Sequence, residues 1–525
     1  MVDISPTRPK EVRVISLIYQ EYREYTHLIV PAMKSPAVLA ASLVALSSIA
    51  HAAEVVHAVV TVQRHGDRTF KGFPPTSLTF LGQLQCHNAG AFYRQRYLNH
   101  SSPFFIDDIS ESSFDDIEVY AMAPDQPLLV TSGQVFLQGL YPPATYHKPQ
   151  TLANGEEVQD PVNGLQYTTI HSMTTKDPDT IWLKADGQCP NFVAQSDAYL
   201  ESQDALRLSE QSQTFYDSLK RDYLNGVFSD AEVSYQNAYA IFDYINVGSV
   251  HNSTIAERIS PGELYKLKLL ADRHEWAMNG NASSEHPALT ISGKAMAYKI
   301  AERLSANINS AGKQNKFTLM ISSYDAFLAF FGHAGLSAYS IDFMGLPNYA
   351  ASMVFELFSD MDTPAGDYPN ESALKVRFLF RNGTENNVDL IHFPIFGQAE
   401  LTLKEFNDAI NAFAVKDTKG WCELCDATAS FCPKDANTGK AEEGSGNTGT
   451  NSESDSQPLS PGAAGAVGAV AAIVVVLLGL GVAMAVFGVR IGRSKKATTE
   501  KGFRGEKLPS DVDLTTPPAV FTSKV

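Results

Sequence analysis

The chain is short of positive charge: 41 Lys and Arg stand against 58 Asp and Glu, a formal net charge of -17 over 525 residues. Nucleic-acid binding needs stripes of Lys and Arg to meet a phosphate backbone, and no such stripe occurs, so nucleic acid is excluded as the main partner. Metal-binding patterns are missing too. The thirteen histidines do not cluster and form no HxxxH or HExxH pair, so neither a metal nor another cofactor is expected. Cysteine is scarce. Of five, Cys422, Cys425 and Cys432 crowd into "WCELCDATASFC", while Cys86 and Cys189 stand apart. A structural zinc site takes four ligands and no second pair lies near, so disulfides in an oxidising compartment are the preferred reading, with one thiol left over. No internal repeat is evident, which removes solenoid architectures.

Two apolar stretches read as addresses. From Met33, "MKSPAVLAASLVALSSIAHAAE" has one lysine, an apolar core and a small-residue "AHA", the pattern of a signal peptide over residues 33–52. Residues 1–32 then read as a mis-assigned extension ahead of a start at Met33, the alternative being a genuine N-terminal extension with an internal signal anchor. Residues 463–489 carry no charge, and their 27 residues exceed the ~20 a helix needs to cross a bilayer, so a transmembrane helix is expected at 462–489. Arg490, Arg493, Lys495 and Lys496 follow, which assigns 490–525 to a cytoplasmic tail. Residues 437–461, rich in Ser, Thr, Gly and Asn, read as a flexible stalk. The expected protein is a single-pass type I membrane protein of the cell surface or secretory pathway, with residues 53–436 outside or lumenal. Sequons at Asn99, Asn252, Asn281, Asn370 and Asn382 agree with export.

Within 53–436 strands and helices alternate. "EVVHAVVTVQR" is too continuous and too β-branched for a one-sided surface strand and reads as a buried strand of an α/β sheet. Further strands are read in "FTLMISSYD", "YAASMVFELF" and "ALKVRFLFRNG". The middle, about 150–312, is polar and helical, with a helix start at "SPGE", and reads as an insertion. The "RHE" at 273–275 reads as a surface helix fragment. The fold class expected is α/β: a mixed, mainly parallel sheet flanked by helices, an inserted helical domain, and the C-terminal membrane helix.

Open α/β sheets bind ligands beyond the carboxyl ends of their strands, where the first strand delivers "RHGDR". Arg64 and Arg68 offer forked donors suited to phosphate oxygens, and both disfavour a charged imidazole at His65. A neutral histidine can attack phosphorus. Gly66 leaves room for a ligand at the backbone.

"VTVQRHGDRT", "LTFLGQLQCHNAGAFYRQRYL", "FLQGLYPP", "PNYAASMVFEL" and "VRFLFRNGT" together resemble the histidine acid phosphatases, the branch of the histidine phosphatase superfamily that includes phytases. The resemblance implies a sheet domain with a helical insertion, a small phosphorylated substrate, and a phosphohistidine intermediate. It implies His65 as nucleophile, Arg64 and Arg68 as phosphate clamp, and Asp325 as proton donor. Two positions depart from the family pattern. Tyr324 stands where the family has a histidine, offering a phosphate one neutral hydrogen bond and no charge. Leu128 falls where a further arginine is usual, and no arginine occurs between Arg96 and Arg207. His333 is read as structural. The alternative to an acid phosphatase is a catalytically weakened ectodomain that binds or scaffolds.

Overall fold

In the computed structural model, residues 54–433 are described, apart from 144–148, 163, 361–367 and 386–387. Eight strands form the main sheet: β1 (Glu54–Arg64), β2 (Val119–Pro124), β3 (His171–Met173), β4 (Phe317–Ser322), β5 (Ser352–Asp360), β6 (Lys375–Arg381), β7 (Ile391–Phe393) and β8 (Glu400–Thr402). The helices are α1 (Phe80–Tyr93), α2 (Pro127–Leu140), α3 (Pro190–Leu200), α4 (Gln203–Leu219), α5 (Ala238–His251) and α6 (Ser253–Arg258). They continue with α7 (Pro261–Glu275), α8 (Ile291–Asn309), α9 (Tyr324–Ala334), α10 (Leu403–Asn411) and α11 (Thr418–Cys425).

β1 lies at the centre of the sheet, in the order β8-β6-β5-β1-β4-β2-β3 with β7 also on β6. Its valines explain the position. Val56 and Val59 pack toward α1 and α2 with Tyr93 and Phe136, while Val60 and Val62 pack toward α8 and α9 with Met296 and Phe327. A strand covered on both faces can be apolar at every position, which is what the run of valines encodes.

The sheet is less parallel than expected. β1–β4, β4–β2 and β2–β3 are parallel, whereas β1–β5, β5–β6, β6–β7 and β6–β8 are antiparallel. The parallel pairs have helices between their strands in the chain, whereas the antiparallel pairs β5–β6 and β6–β7 join strands that follow one another in sequence. Helices α4, α5 and α7 share a core of their own around Leu208, Tyr216, Ile241, Ile245 and Leu267. By contrast α8, within the range expected for the insertion, packs under the sheet through Ile291, Met296 and Ile300.

The expected membrane helix requires correction. Among the described residues no helix is long and apolar enough to cross a membrane. The longest candidate, α8, has 19 residues but carries Lys294, Lys299, Glu302 and Arg303. The 462–489 run lies outside the described residues, as do the regions read as extension, signal peptide, stalk and tail. The fold of the described residues is mixed α/β, with no helix among them able to cross a membrane.

Cys189 at the start of α3 is bonded to Cys425, and Cys422 to Cys432. The C-x-x-C pair is thus used in two bridges to different partners, and Cys86 is the free, buried thiol.

Burial holds two imidazoles far from their ordinary range. His57 on β1, against the Ser359 hydroxyl at 2.8 Å, is brought down to about 4 by burial, which outweighs the opposing charge of Asp107. His333 is also brought down to about 4, by burial and then by Lys294. Both bind protons more readily unfolded than folded. Stability is therefore complete above pH 6.5 and falls as the pH drops toward 4, by ~3 kcal/mol for each histidine at the lower end. Urea unfolding across that range is expected to show the decline in the wild type and about half of it in His57→Gln. A stability that stayed flat below pH 6.5 would contradict the assignment.

Candidate active site

β1 and β4 run side by side and in the same direction, with Arg64 opposite Ser322 at their carboxyl ends. Arg64 and His65 therefore emerge next to Tyr324 and Asp325, the first two residues of α9. Sheet register alone brings the two motifs together across 260 residues of sequence. The loop after β1 is then pinned from below. A Cβ on Gly66 would lie 2.3 Å from the Gly82 carbonyl oxygen of α1, so this position is glycine because helix and loop touch there. The room that glycine leaves is filled by protein, not kept for a ligand.

His65 is 4% exposed. Its Nδ1 lies 2.9 Å from the Gly66 carbonyl oxygen, which can only accept, so Nδ1 carries the proton and Nε2 the lone pair. Burial first, then the charges of Arg64 and Arg68, hold the imidazole well below its usual range. The ring is neutral in mildly acidic solution.

The two arginines differ. Arg68 grips Asp243 of α5 through two bonds of 2.9 and 3.0 Å, and also donates to the Tyr239 hydroxyl at 3.0 Å and the Thr69 carbonyl at 3.0 Å. Four of its five donors are committed. Arg64 has no carboxylate partner among the described residues. It donates to the Pro347 carbonyl, and its guanidinium sits 4.6 Å from the Tyr349 ring and 5.5 Å from the Tyr324 ring. Its Nε is buried without a hydrogen-bond partner. Of the motif's two cations, Arg64 is the one with donors to offer an anion.

Asp67, inside the motif, serves the loop. Its carboxylate takes bonds from Thr79 and from His251 Nε2, the latter at 2.6 Å, while its N–H donates to Gln85 at 2.8 Å. One face of α5 thus holds the loop at three points, Tyr239, Asp243 and His251, which recur at helical spacing.

Tyr324 donates its hydroxyl to Glu275 at 2.9 Å, and burial, followed by the Glu275 charge, pushes it well above the ordinary phenol range. Glu275 also meets His274 Nδ1 at 2.8 Å, and His274 Nε2 meets the Gln236 carbonyl oxygen at 3.1 Å. Both ring nitrogens of His274 are thereby engaged, one by the Glu275 side chain and the other by the backbone. His274 and Glu275 are 5% and 4% exposed, so the "RHE" fragment is interior rather than surface. The Tyr324 hydroxyl thus ends on a buried Glu275–His274 pair.

Asp325 is 7% exposed, with Oδ2 buried and unpartnered. Near it Lys184 and Asp186 pair at 2.6 Å. Burial and then the Asp325 charge raise Asp186. Burial works to lower Lys184, but Asp325 and Asp186 raise it on balance. Leu128 is in the first turn of α2 and buried. His333 bonds the Thr290 hydroxyl at 2.9 Å and stacks on Phe413 at 4.2 Å, a packing role. Among the described residues no cluster of three or more His, Cys, Asp or Glu has the arrangement to hold a metal.

The sequence profile of the histidine phosphatase superfamily (branch 2) matches residues 72–381, more than half of the chain. The chain belongs to that superfamily. The match starts just after "RHGDR", so the placing of Arg64, His65 and Arg68 rests on the geometry above. Among solved structures, the phytase of Klebsiella sp. ASR1 is 11% identical with a TM-score of 0.47, the match covering 70% of this chain and 97% of that one. Apo Hafnia alvei phytase is 13% identical with a TM-score of 0.46, covering 71% and 98%. The Bifidobacterium longum multiple inositol polyphosphate phosphatase, in complex with inositol hexasulfate, is 12% identical with a TM-score of 0.43, covering 74% and 95%. No curated protein matches the chain.

In this histidine phosphatase superfamily member the Arg68–Asp243 pair ties the motif loop to α5 with side chains only 2% and 4% exposed. Removing one partner of a buried pair strands the other charge, so Asp243→Ala is expected to lose about 3–5 kcal/mol in urea unfolding, and Asp243→Asn less. A loss under about 1 kcal/mol for both would show that the pair does not carry this contact.

Proposed function

We propose that the chain hydrolyses phosphate monoesters through a phosphohistidine on His65, working as an acid phosphatase. The observation that carries this reading is a buried, neutral His65 whose Nδ1 is fixed as donor, leaving an Nε2 lone pair beside a guanidinium without a carboxylate partner. In the first step Nε2 attacks phosphorus and the ester P–O bond breaks, with Asp325 giving its proton to the departing alkoxide. Arg64 balances charge on the transferring group. Next, water loses a proton to the Asp325 carboxylate and attacks phosphorus; the N–P bond breaks and its electron pair returns to Nε2. Inorganic phosphate leaves.

The pH dependence follows from signs. The first step uses protonated Asp325 and neutral His65. Because His65 is held well below 6.5, its neutral form persists as the pH falls, so turnover is expected to rise into the acidic range before it declines. Two disulfides support an oxidising compartment, and export through the secretory pathway is part of this reading.

A second reading has its own observations. Arg68 is tied to Asp243, the Tyr324 hydroxyl to Glu275, and Leu128 stands where a further arginine is usual in the family, so a phosphate-binding fold with weakened turnover is the competitor. Kinetics separate them. His65→Ala should lose at least ~10³-fold in phosphate release, and Asp325→Asn should lose ~10²-fold on alkyl esters but far less on esters of acidic phenols, which leave without a proton. No turnover by the wild type, or turnover indifferent to His65→Ala, would favour the binding protein.

A further inference from the structure

We infer that the alcohol of the substrate is apolar, of the size of an aromatic ring, and that a cleft beside Arg64 receives it. This rests on the hydrolytic reading above. The cleft, about 350 Å3, is bounded by α5, the first turns of α7 and the 346–349 loop. It adjoins the reacting centre because Arg64 and Tyr349 belong to both: both line the cleft, and the Tyr349 ring lies 5.7 Å from the His65 ring. The other walls are largely apolar, with Tyr239, Phe242, Leu264, Tyr265 and Leu346.

The charged walls cancel one another. Asp243 is neutralised by Arg68 at 2.9 Å and Lys268 by Asp272 at 2.7 Å. Arg64 remains as the lining cation with no carboxylate among the described residues. Lys71, whose Nζ lies 5.9 Å from the Tyr239 ring and whose charge also acts on His65, makes no ion pair with a described carboxylate. Two such cations match one phosphate dianion. A polyphosphorylated ring brings further dianions, and the walls offer them aromatic and aliphatic carbon. An apolar group gains from the same surface. Tyr265, 57% exposed on the cleft wall, is an aromatic left open to water, and a ligand ring lying against it would cover it.

Two substrates with alcohols of similar basicity isolate the cleft from the chemistry: 2-phenylethyl phosphate and ethyl phosphate, given to the full-length chain with phosphate release as readout. The phenylethyl ester is expected to have at least a tenfold higher kcat/KM, with inositol hexakisphosphate poorest, and Tyr265→Ser should bring the preference to about threefold. Equal kcat/KM for the two alkyl esters, or inositol hexakisphosphate as best substrate, would overturn the inference and leave the hydrolytic reading intact. Calorimetry with 2-phenylethylphosphonate and ethylphosphonate separates the opposite failure. Tighter binding of the phenylethyl compound without turnover of any ester would support the cleft and sink the hydrolysis, and equal binding without turnover would sink both.

Discussion

Two guanidiniums buried four residues apart, at the end of one strand, are the constraint that the surrounding structure answers. A buried charge has to be paired or bonded. Arg68 is answered in full: a carboxylate, a hydroxyl and a carbonyl from two parts of the chain take four of its donors. Arg64 is answered by a carbonyl and two tyrosine faces, none of which cancels its charge. Arg64 therefore keeps its positive charge beside a buried imidazole. That imidazole stays neutral, and an anion finds a cation already in place.

The same division assigns work to the inserted helices. α5 grips the loop after β1 through Tyr239, Asp243 and His251, so the helical part is a wall that fixes the motif as well as a boundary of the cleft. α7 contributes Glu275 and His274 behind Tyr324. The Tyr324 hydroxyl is thereby bonded to a buried Glu275–His274 pair one layer deeper. Tyr324 is held in place as an aromatic face for Arg64, and its hydroxyl is engaged away from the motif.

The sequence made the strands and the residues gathered at their carboxyl ends legible because each has a local signature. Continuous β-branched residues mark β1, and a strand followed at once by "RHGDR", or by Tyr324–Asp325, marks a ligand-binding end. Strand direction has no such signature, since β5 and β6 look alike whichever way they run, and so the sheet was expected to be more parallel than it is. Asp243, Tyr239 and Glu275 were missed for a related reason. Each is a polar residue on an amphipathic helix, and what makes it interior is a partner 49 to 175 residues away. The "RHE" on α7 reads as surface until Tyr324 is brought over it. Gly66 was read as leaving room for a ligand at the backbone, whereas the neighbour that approaches it closely is α1.

The proposed function rests on His65 Nε2 as the atom that takes the phosphoryl group. Phosphohistidine survives alkali and is destroyed by acid, so the direct test is to mix the full-length chain with substrate, quench within one turnover into alkali, digest, and sequence the peptide spanning 54–70 by mass spectrometry. A phosphoryl group on His65, absent when the sample is first acidified and absent in His65→Ala, is the expected result. Substrate turned over with that peptide unmodified, or a phosphoryl group found on another residue, would contradict it.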